Sequence, residues 1–319
     1  LRRARLVIRP AWRPGSDRRD LSNDKVREEP MTMMIRNPVE WGASQVDDAI
    51  GAVRAANHDM RRPAAEFEAQ TPRVRRLAYS DVGYALSQGF DDFVACRSDV
   101  LAICLIYPFA GLALAYATLN ASLAPLLFPL VAGFAIVGPF LALGLYEASR
   151  RREAGMEVSW ATSAAAFASP AAGAIWGLGL ILTALFVAWL VVAMLIHAAT
   201  MEPLAPSATI VSFLTDVLTT PGGRLMTVLG CAAGAAFALT AFAISVISFP
   251  LLLDRKVRVS TAISASVRAV RENPGPMLLW GMIVTAGLVL GSLPLLLGLI
   301  VVMPVLGHAT WRLYRRTIV

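Results

Sequence analysis

From Val100 to Tyr146 the chain carries no charged residue. Few folds admit such a run, because water-facing surface has to be polar and a soluble core rarely takes that many consecutive residues. The same pattern returns between Gly173 and Ala198, between Leu225 and Leu253, and between Gly275 and Trp311. An apolar stretch of about 20 residues crosses a hydrocarbon core of about 30 Å as a helix that satisfies its own backbone hydrogen bonds. The expected class is therefore all-α, a polytopic membrane helix bundle. With 56% hydrophobic and 16% charged residues in 319, the composition agrees, since soluble domains run nearer a quarter charged.

Two of these runs are too long for one crossing. Asn120-Ala121-Ser122 divides the first into spans at about 98–118 and 123–147, and Gly291-Ser292-Leu293-Pro294 divides the last into about 275–290 and 294–313. With 173–198 and 225–253 this makes six transmembrane helices in a domain covering 74–319. Residues 1–73 are expected to form a disordered cytosolic tail. Residues 1–30 read as a gene-start artefact, because MTMM begins at Met31 and Met31, Met33 or Met34 would serve as a start.

Charge orients the bundle. With the N-terminal side in the cytoplasm, Arg150, Arg151 and Arg152 fall inside, as do Arg255, Lys256, Arg258, Arg268 and Arg271, and then Arg312, Arg315 and Arg316. Only Arg224 falls at an outer end. Basic residues kept on the cytoplasmic side are what the orientation rule predicts, so both termini are expected to be cytoplasmic. A five-span arrangement would push three arginines out. The net charge of +7 is thus read as facing an anionic leaflet, and nucleic acid is not expected as a partner. Trp160, Trp176, Trp280 and Trp311 cluster at the inner boundary, where an indole keeps its N–H wet and its ring in lipid.

Pro129–Arg151 aligns without gaps onto Pro294–Arg316, pairing Gly133 with Gly298, Pro139 with Pro304, and Arg150-Arg151 with Arg315-Arg316. Pro170 with Trp176-Gly177 echoes Pro274 with Trp280-Gly281. The expectation is three like-oriented hairpin repeats, each introduced by an amphipathic helix at the inner surface, its apolar face in lipid or on the bundle. In the first, Val82, Leu86, Phe90 and Phe93 follow a Ser80-Asp81 cap; in the third, Ile263, Val267 and Val270 follow Ser260-Thr261. On the outer side Ile210, Phe213, Leu214, Val217 and Leu218 predict a further amphipathic helix ended by Pro221-Gly222-Gly223. It is read as a helix lying on the outer surface.

Several segments together resemble a bacterial membrane-protein family known as domain of unknown function 2189. They are Gly138–Glu147 with Arg150–Arg152, Leu218–Pro221, Ser245–Arg255, Asn273–Gly281 and Gly307–Arg312, a likeness spread over residues 74–316. The resemblance implies a bacterial inner-membrane location and supplies no catalytic residues. Some members bear a cytochrome c oxidase subunit I label. An oxidase core needs about six histidines for two haems and a copper, and this chain has His58, His197 and His308. His197 and His308 fall toward opposite faces of the membrane, so no shared metal is expected. The three cysteines, Cys96, Cys104 and Cys231, lack CxxC spacing and read as packing residues.

Candidate positions are few. Asp99, Glu147 and Asp254 stand at inner span ends, within reach of Arg97, Arg150 and Arg255. Pro139, Pro250 and Pro304 are hinges of a gated path or fixed kinks. His308, one turn beyond Pro304, is read as a packing histidine. Gly230, Gly234 and Ala238 form a small-residue stripe for close helix approach, within the bundle or between protomers. No HExxH, GxSxG or P-loop is present, so the chain is read as not an enzyme and without cofactor. A non-enzymatic scaffold or accessory subunit is expected, its partners the lipid bilayer with other membrane-complex subunits or further copies of itself. The alternative is a permease or channel for a neutral or lipid-like solute.

Overall fold

The computed structural model describes residues 72–104, 138–168, 171–201, 210–294 and 296–319, with a few isolated positions between 109 and 130. The expected tail therefore lies outside the described residues up to 71, as does about half of the first two expected spans. Every regular element described is a helix. They run as α1 (Tyr79–Cys104), α2 (Leu143–Glu153), α3 (Trp160–Ala164), a 3-10 turn (Ala165–Ala168) and α4 (Ala172–Thr200). Then come α5 (Ile210–Thr219), α6 (Pro221–Ser245), α7 (Ser248–Asp254), α8 (Val259–Glu272), α9 (Pro274–Ser292) and α10 (Leu299–Thr317).

Among the described residues three helical stretches are long and apolar enough to cross a membrane: Ala172–Thr200, Pro221–Asp254 and Pro274–Ser292. Only 17% of the most apolar part of α4 is buried by the rest of the protein, and the same share of α9. Val187, Val191, Met194 and Leu195 on α4 and Val228 and Leu229 on α6 are exposed. Apolar faces that large belong in lipid or against another protein. α10 is as long as α9, but its second half carries His308, Arg312, Arg315 and Arg316.

The fourth expected span is broken. α6 stops at Ser245 and α7 restarts at Ser248. Pro250 lacks the N–H that would donate to the carbonyl four residues back, at Val246, and its ring crowds that carbonyl, so the ladder opens there. Ser248 Oγ donates to the Ile244 carbonyl at 2.6 Å across the break. The last hairpin also differs from expectation: α9 continues through Gly291 to Ser292, and the chain reverses over 293–298. Pro294 cannot extend the ladder. Gly291 and Gly298 serve a different purpose, since a Cβ on Gly298 would lie 2.7 Å from Gly291 Cα. The missing side chains let the two helices close on each other.

α1 and α8 occupy the expected lead-in positions, and the sides they turn to the bundle are lined largely by small residues. On α1 the buried face is Val82, Ala85, Gly89, Asp92 and Cys96, while Phe90 is exposed. It packs along α10, where a Cβ on Gly89 would come within 2.5 Å of Ala309. On α8 the buried line is Ala262, Ala265, Ser266 and Ala269, with Ile263, Val267 and Val270 only half-buried. Small residues win at both contacts because they let two backbones approach more closely than branched side chains would.

In the stripe on α6, Gly234 faces Trp189 of α4, 3.2 Å from where its Cβ would be, whereas Gly230 faces open space. α5 packs on the start of α6. The two are joined at Thr220, which accepts from Gly223 N–H at 2.9 Å as an N-cap with Pro221 behind it. Leu214 and Leu218 on α5 stay exposed.

Candidate functional site: a buried polar clamp and an apolar cavity

The C-terminal half of α10 is buried nearly all round, from Leu306 to Tyr314 with Arg312 half-buried, by α1, α2 and α7. Polar side chains in such a place need partners. Asp92 of α1 is fully buried and is the centre of the network. Its carboxylate accepts two hydrogen bonds from the Arg312 guanidinium, 2.8 Å from Nε and 2.7 Å from Nη2. It accepts a third from Ser149 Oγ of α2 at 2.8 Å, and pairs with Arg152 of the same helix. Burial opposes the charged form of Asp92, but the hydrogen bonds from Arg312 and Ser149, the Arg312 charge and the bond from Arg152 outweigh it. The carboxyl is held below its ordinary range.

Ser149 Oγ also lies 2.8 Å from His308 Nδ1. The serine proton goes to Asp92, so the imidazole Nδ1–H donates to the serine oxygen, and Nε2 is left buried without a partner. Aspartate, serine and histidine thus meet, but in the wrong order for nucleophilic catalysis. There the histidine stands between the carboxylate and the hydroxyl and takes the hydroxyl proton. Here the carboxylate binds the serine directly and two arginines hold it, while Ser149 is fully buried. This arrangement ties helices together.

Further bonds spread from this centre. Glu147, almost fully buried, is forked by Arg150 at 2.7 and 2.8 Å and also accepts from Arg151 at 2.8 Å. Glu153 accepts from Trp311 Nε1 at 2.9 Å and from Arg315 at 3.0 Å. Asp254, at the end of α7, accepts from Tyr314 at 2.6 Å and pairs with Arg315 at 3.4 Å. The N-terminal side is fastened as well. Val74 and Ile318 form an antiparallel bridge, and Arg75 N–H donates to the Thr317 carbonyl at 2.8 Å. Asn273 receives Leu77 N–H at 2.6 Å and donates to the Arg75 carbonyl at 3.2 Å. Asp81 accepts from Arg75 Nη2 on both carboxylate oxygens at 2.9 Å and reaches back to Ala78 N–H at 3.0 Å, closing the first turn of α1 from its third position.

The second feature is a cavity of about 710 Å³ between the 138–146 segment, α6, α9 and α10. Ala238, Phe242, Trp280, Met303 and Leu306 are among its walls, and Ser245 and Thr310 lie among its few hydroxyl-bearing residues. None of its described lining residues is charged.

Residues 127–254 match the family of predicted integral membrane proteins called DUF2189. The resemblance read from the sequence is borne out over that stretch, which is narrower than the 74–316 over which motifs were seen. It ends on Asp254, the last residue of α7. No curated protein and no solved structure matches the chain. The chain is an integral membrane protein with several apolar helices.

The polar clamp brings together some of the residues singled out in the sequence and not others. His308 joins it through Ser149, while Glu147 and Arg150 pair with each other beside it. Pro139 lines the cavity, Pro250 is buried in α7, and Pro304 is buried within an unbroken α10. Arg255 does not pair with Asp254, whose carboxylate faces Tyr314 and Arg315 instead. The side chains of Arg97 and Asp99 lie outside the described residues. Trp280 and Trp311 are packed inside the protein rather than at a lipid boundary. Asp92 and Ser149 are the members that the sequence did not single out, while Arg152 and Asn273 were noted for charge or family likeness and not for this site. The available signal was Asp92 itself, ten residues beyond Val82 and seven beyond Ala85, a lone acid on the buried stripe of α1. Among the described residues no group of three or more His, Cys, Asp or Glu side chains is placed to hold a metal ion.

Proposed function

We propose that this chain is a non-enzymatic scaffold or accessory subunit of a membrane complex. It would be a six-span bundle in a bacterial inner membrane with both termini cytoplasmic. The observation that carries this reading is how the buried polar groups are used. Asp92, Ser149, Arg152, His308 and Arg312 bond to one another across three helices, so their chemistry fixes positions instead of facing a substrate. Meanwhile the apolar faces of α4 and α6 are left uncovered.

Six crossings follow if 98–118, 123–147 and α10 are added to the three apolar helices. Orientation is supported by charge: Arg152, Arg312, Arg315 and Arg316 converge with Arg75 on one end of the bundle. The repeat reading rests on the paired Gly, Pro and Arg positions of its two aligned segments.

Purification in mild detergent from native membranes should recover stoichiometric partner proteins. A clean monomer with none would overturn the accessory role. The cavity favours a second reading, a permease for a neutral or lipid-like solute, which vesicle flux measurements would test.

A further inference from the structure

Ser245 sits at the end of α6, 1% exposed, and its Oγ has no hydrogen-bond partner. That is unusual within this structure. Helical hydroxyls around it satisfy themselves on the carbonyl four residues back: Thr240 on Ala236 at 2.8 Å, Ser248 on Ile244 at 2.6 Å, Thr285 on Gly281 at 2.8 Å and Thr310 on Leu306 at 2.7 Å. Ser245 does not, and Ser245 lines the 710 Å³ cavity. A buried hydroxyl without a partner costs free energy unless something supplies one.

The cavity constrains what that something is. Its volume lies in the range of small-molecule sites, roughly 300–1,000 Å³. Its lining runs from Ala235 to Ser245 on α6 and from Met277 to Val289 on α9. At 1.5 Å per residue these are about 15 and 18 Å, close to the hydrocarbon depth of one bilayer leaflet. Ser245, Thr310 and Tyr146 gather at the end nearest α7, where the inner ends of these helices meet, and the far end is formed by aliphatic side chains such as Leu288 and Val289. With no charged residue among the described lining, a charged head would be left unpaired inside an apolar wall.

We infer that this cavity binds one neutral, single-headed amphiphile drawn from the bilayer. Its apolar body, up to a leaflet in length, lies between α6, α9 and α10. Its one hydroxyl or carbonyl accepts the proton of Ser245 Oγ, which turns about χ1 from its enclosed position to meet it. Thr310 is already bonded to its own helix, and among the hydroxyls at this end Ser245 is the one whose oxygen is buried without a partner, so it is the group assigned to the head. The inference rests on the chain's being membrane-embedded and is independent of the accessory role, which partner recovery tests separately.

The test uses the full chain in vesicles with a photoactivatable long-chain fatty alcohol carrying a diazirine, and the matching fatty acid as the charged comparator. Peptide mapping should place the alcohol on 235–245 and 277–289, with excess unlabelled alcohol competing it away. Ser245→Ala should lower labelling about five- to tenfold, the usual worth of one neutral hydrogen bond. Ala238→Phe, which puts a ring into the path of the apolar body, should sharply lower it while elution volume and thermal midpoint stay near wild type; Ala238→Leu serves if the larger ring unfolds the protein. Equal labelling of wild type and Ser245→Ala, labelling spread over the exposed face of α4, or fatty acid bound as strongly as alcohol would each overturn the inference.

Discussion

Replacing Asp92 should release α1 from α10, and the size of the effect can be worked from its bonds. The carboxylate holds Arg312 by two bonds, Arg152 by an ion pair and Ser149 by one bond. Removing one partner of a buried ion pair costs about 3–5 kcal/mol. The Arg152 and Arg312 side chains keep 38% and 17% exposure and can be rehydrated, so the lower end applies, about 3 kcal/mol. At 1.4 kcal/mol per decade that is about a hundredfold in the opening equilibrium. Cys96 reports it directly, being buried on the same face of α1 four residues beyond Asp92. In a background of Cys104→Ser and Cys231→Ala, maleimide labelling of Cys96 should proceed about a hundredfold faster in Asp92→Ala. Asp92→Asn keeps an acceptor for Ser149 and loses the charge, so about tenfold is expected, roughly 1.4 kcal/mol. Labelling of Asp92→Ala within twofold of the parent would refute the role given to this carboxylate.

The pH dependence has a definite sign. The folded carboxyl of Asp92 lies below its unfolded value of about 3.9, so its stabilisation is complete above that pH and is lost only as pH falls through the lower folded value. The gap in thermal midpoint between wild type and Asp92→Asn should hold from pH 7 to about pH 4 and close below it; closure by pH 6 would contradict the assignment. Gly89→Val should destabilise the protein, because a Cβ there meets Ala309 at 2.5 Å, whereas Gly83→Ala, with nothing within 4 Å, should be neutral or add up to about 1 kcal/mol. Similar thermal midpoints for the two would argue against close α1–α10 packing. Asn273→Ala strands Leu77 N–H and the Arg75 carbonyl, and should speed tryptic cleavage after Arg75 or Arg76 at least tenfold. Unchanged cleavage would show that the segment is held elsewhere.

Charge-free runs made the apolar helices legible in the sequence, and α4 matches the expected 173–198 to within two residues at either end. Pro250 was legible as a kink, but not where the break would fall, because a proline disturbs the ladder upstream of itself. The bundle-facing sides of α1 and α8 were not legible for one shared reason. Helical spacing was counted on the largest apolar residues, Phe90 and Ile263, while the tightest contacts use glycine and alanine, which carry little hydrophobic signal. Asp92 was overlooked because an acid in a solvated lead-in helix is unremarkable; its partners Ser149 and Arg312 come from helices distant in sequence. The cavity could not be read at all. It depends on how α6, α9 and α10 diverge, and only Ser245, an ordinary serine in an apolar run, marks it.

The account depends most on the helices crossing a membrane with the clamp on the cytoplasmic side. Single cysteines placed at Arg224 and at Arg271, in a cysteine-free version of the chain expressed in bacteria, test that directly. An impermeant maleimide should label position 224 in intact spheroplasts and position 271 only after lysis. Labelling of 271 before lysis with 224 protected would invert the orientation, and labelling of both in intact cells would contradict a crossing by α6 and α7.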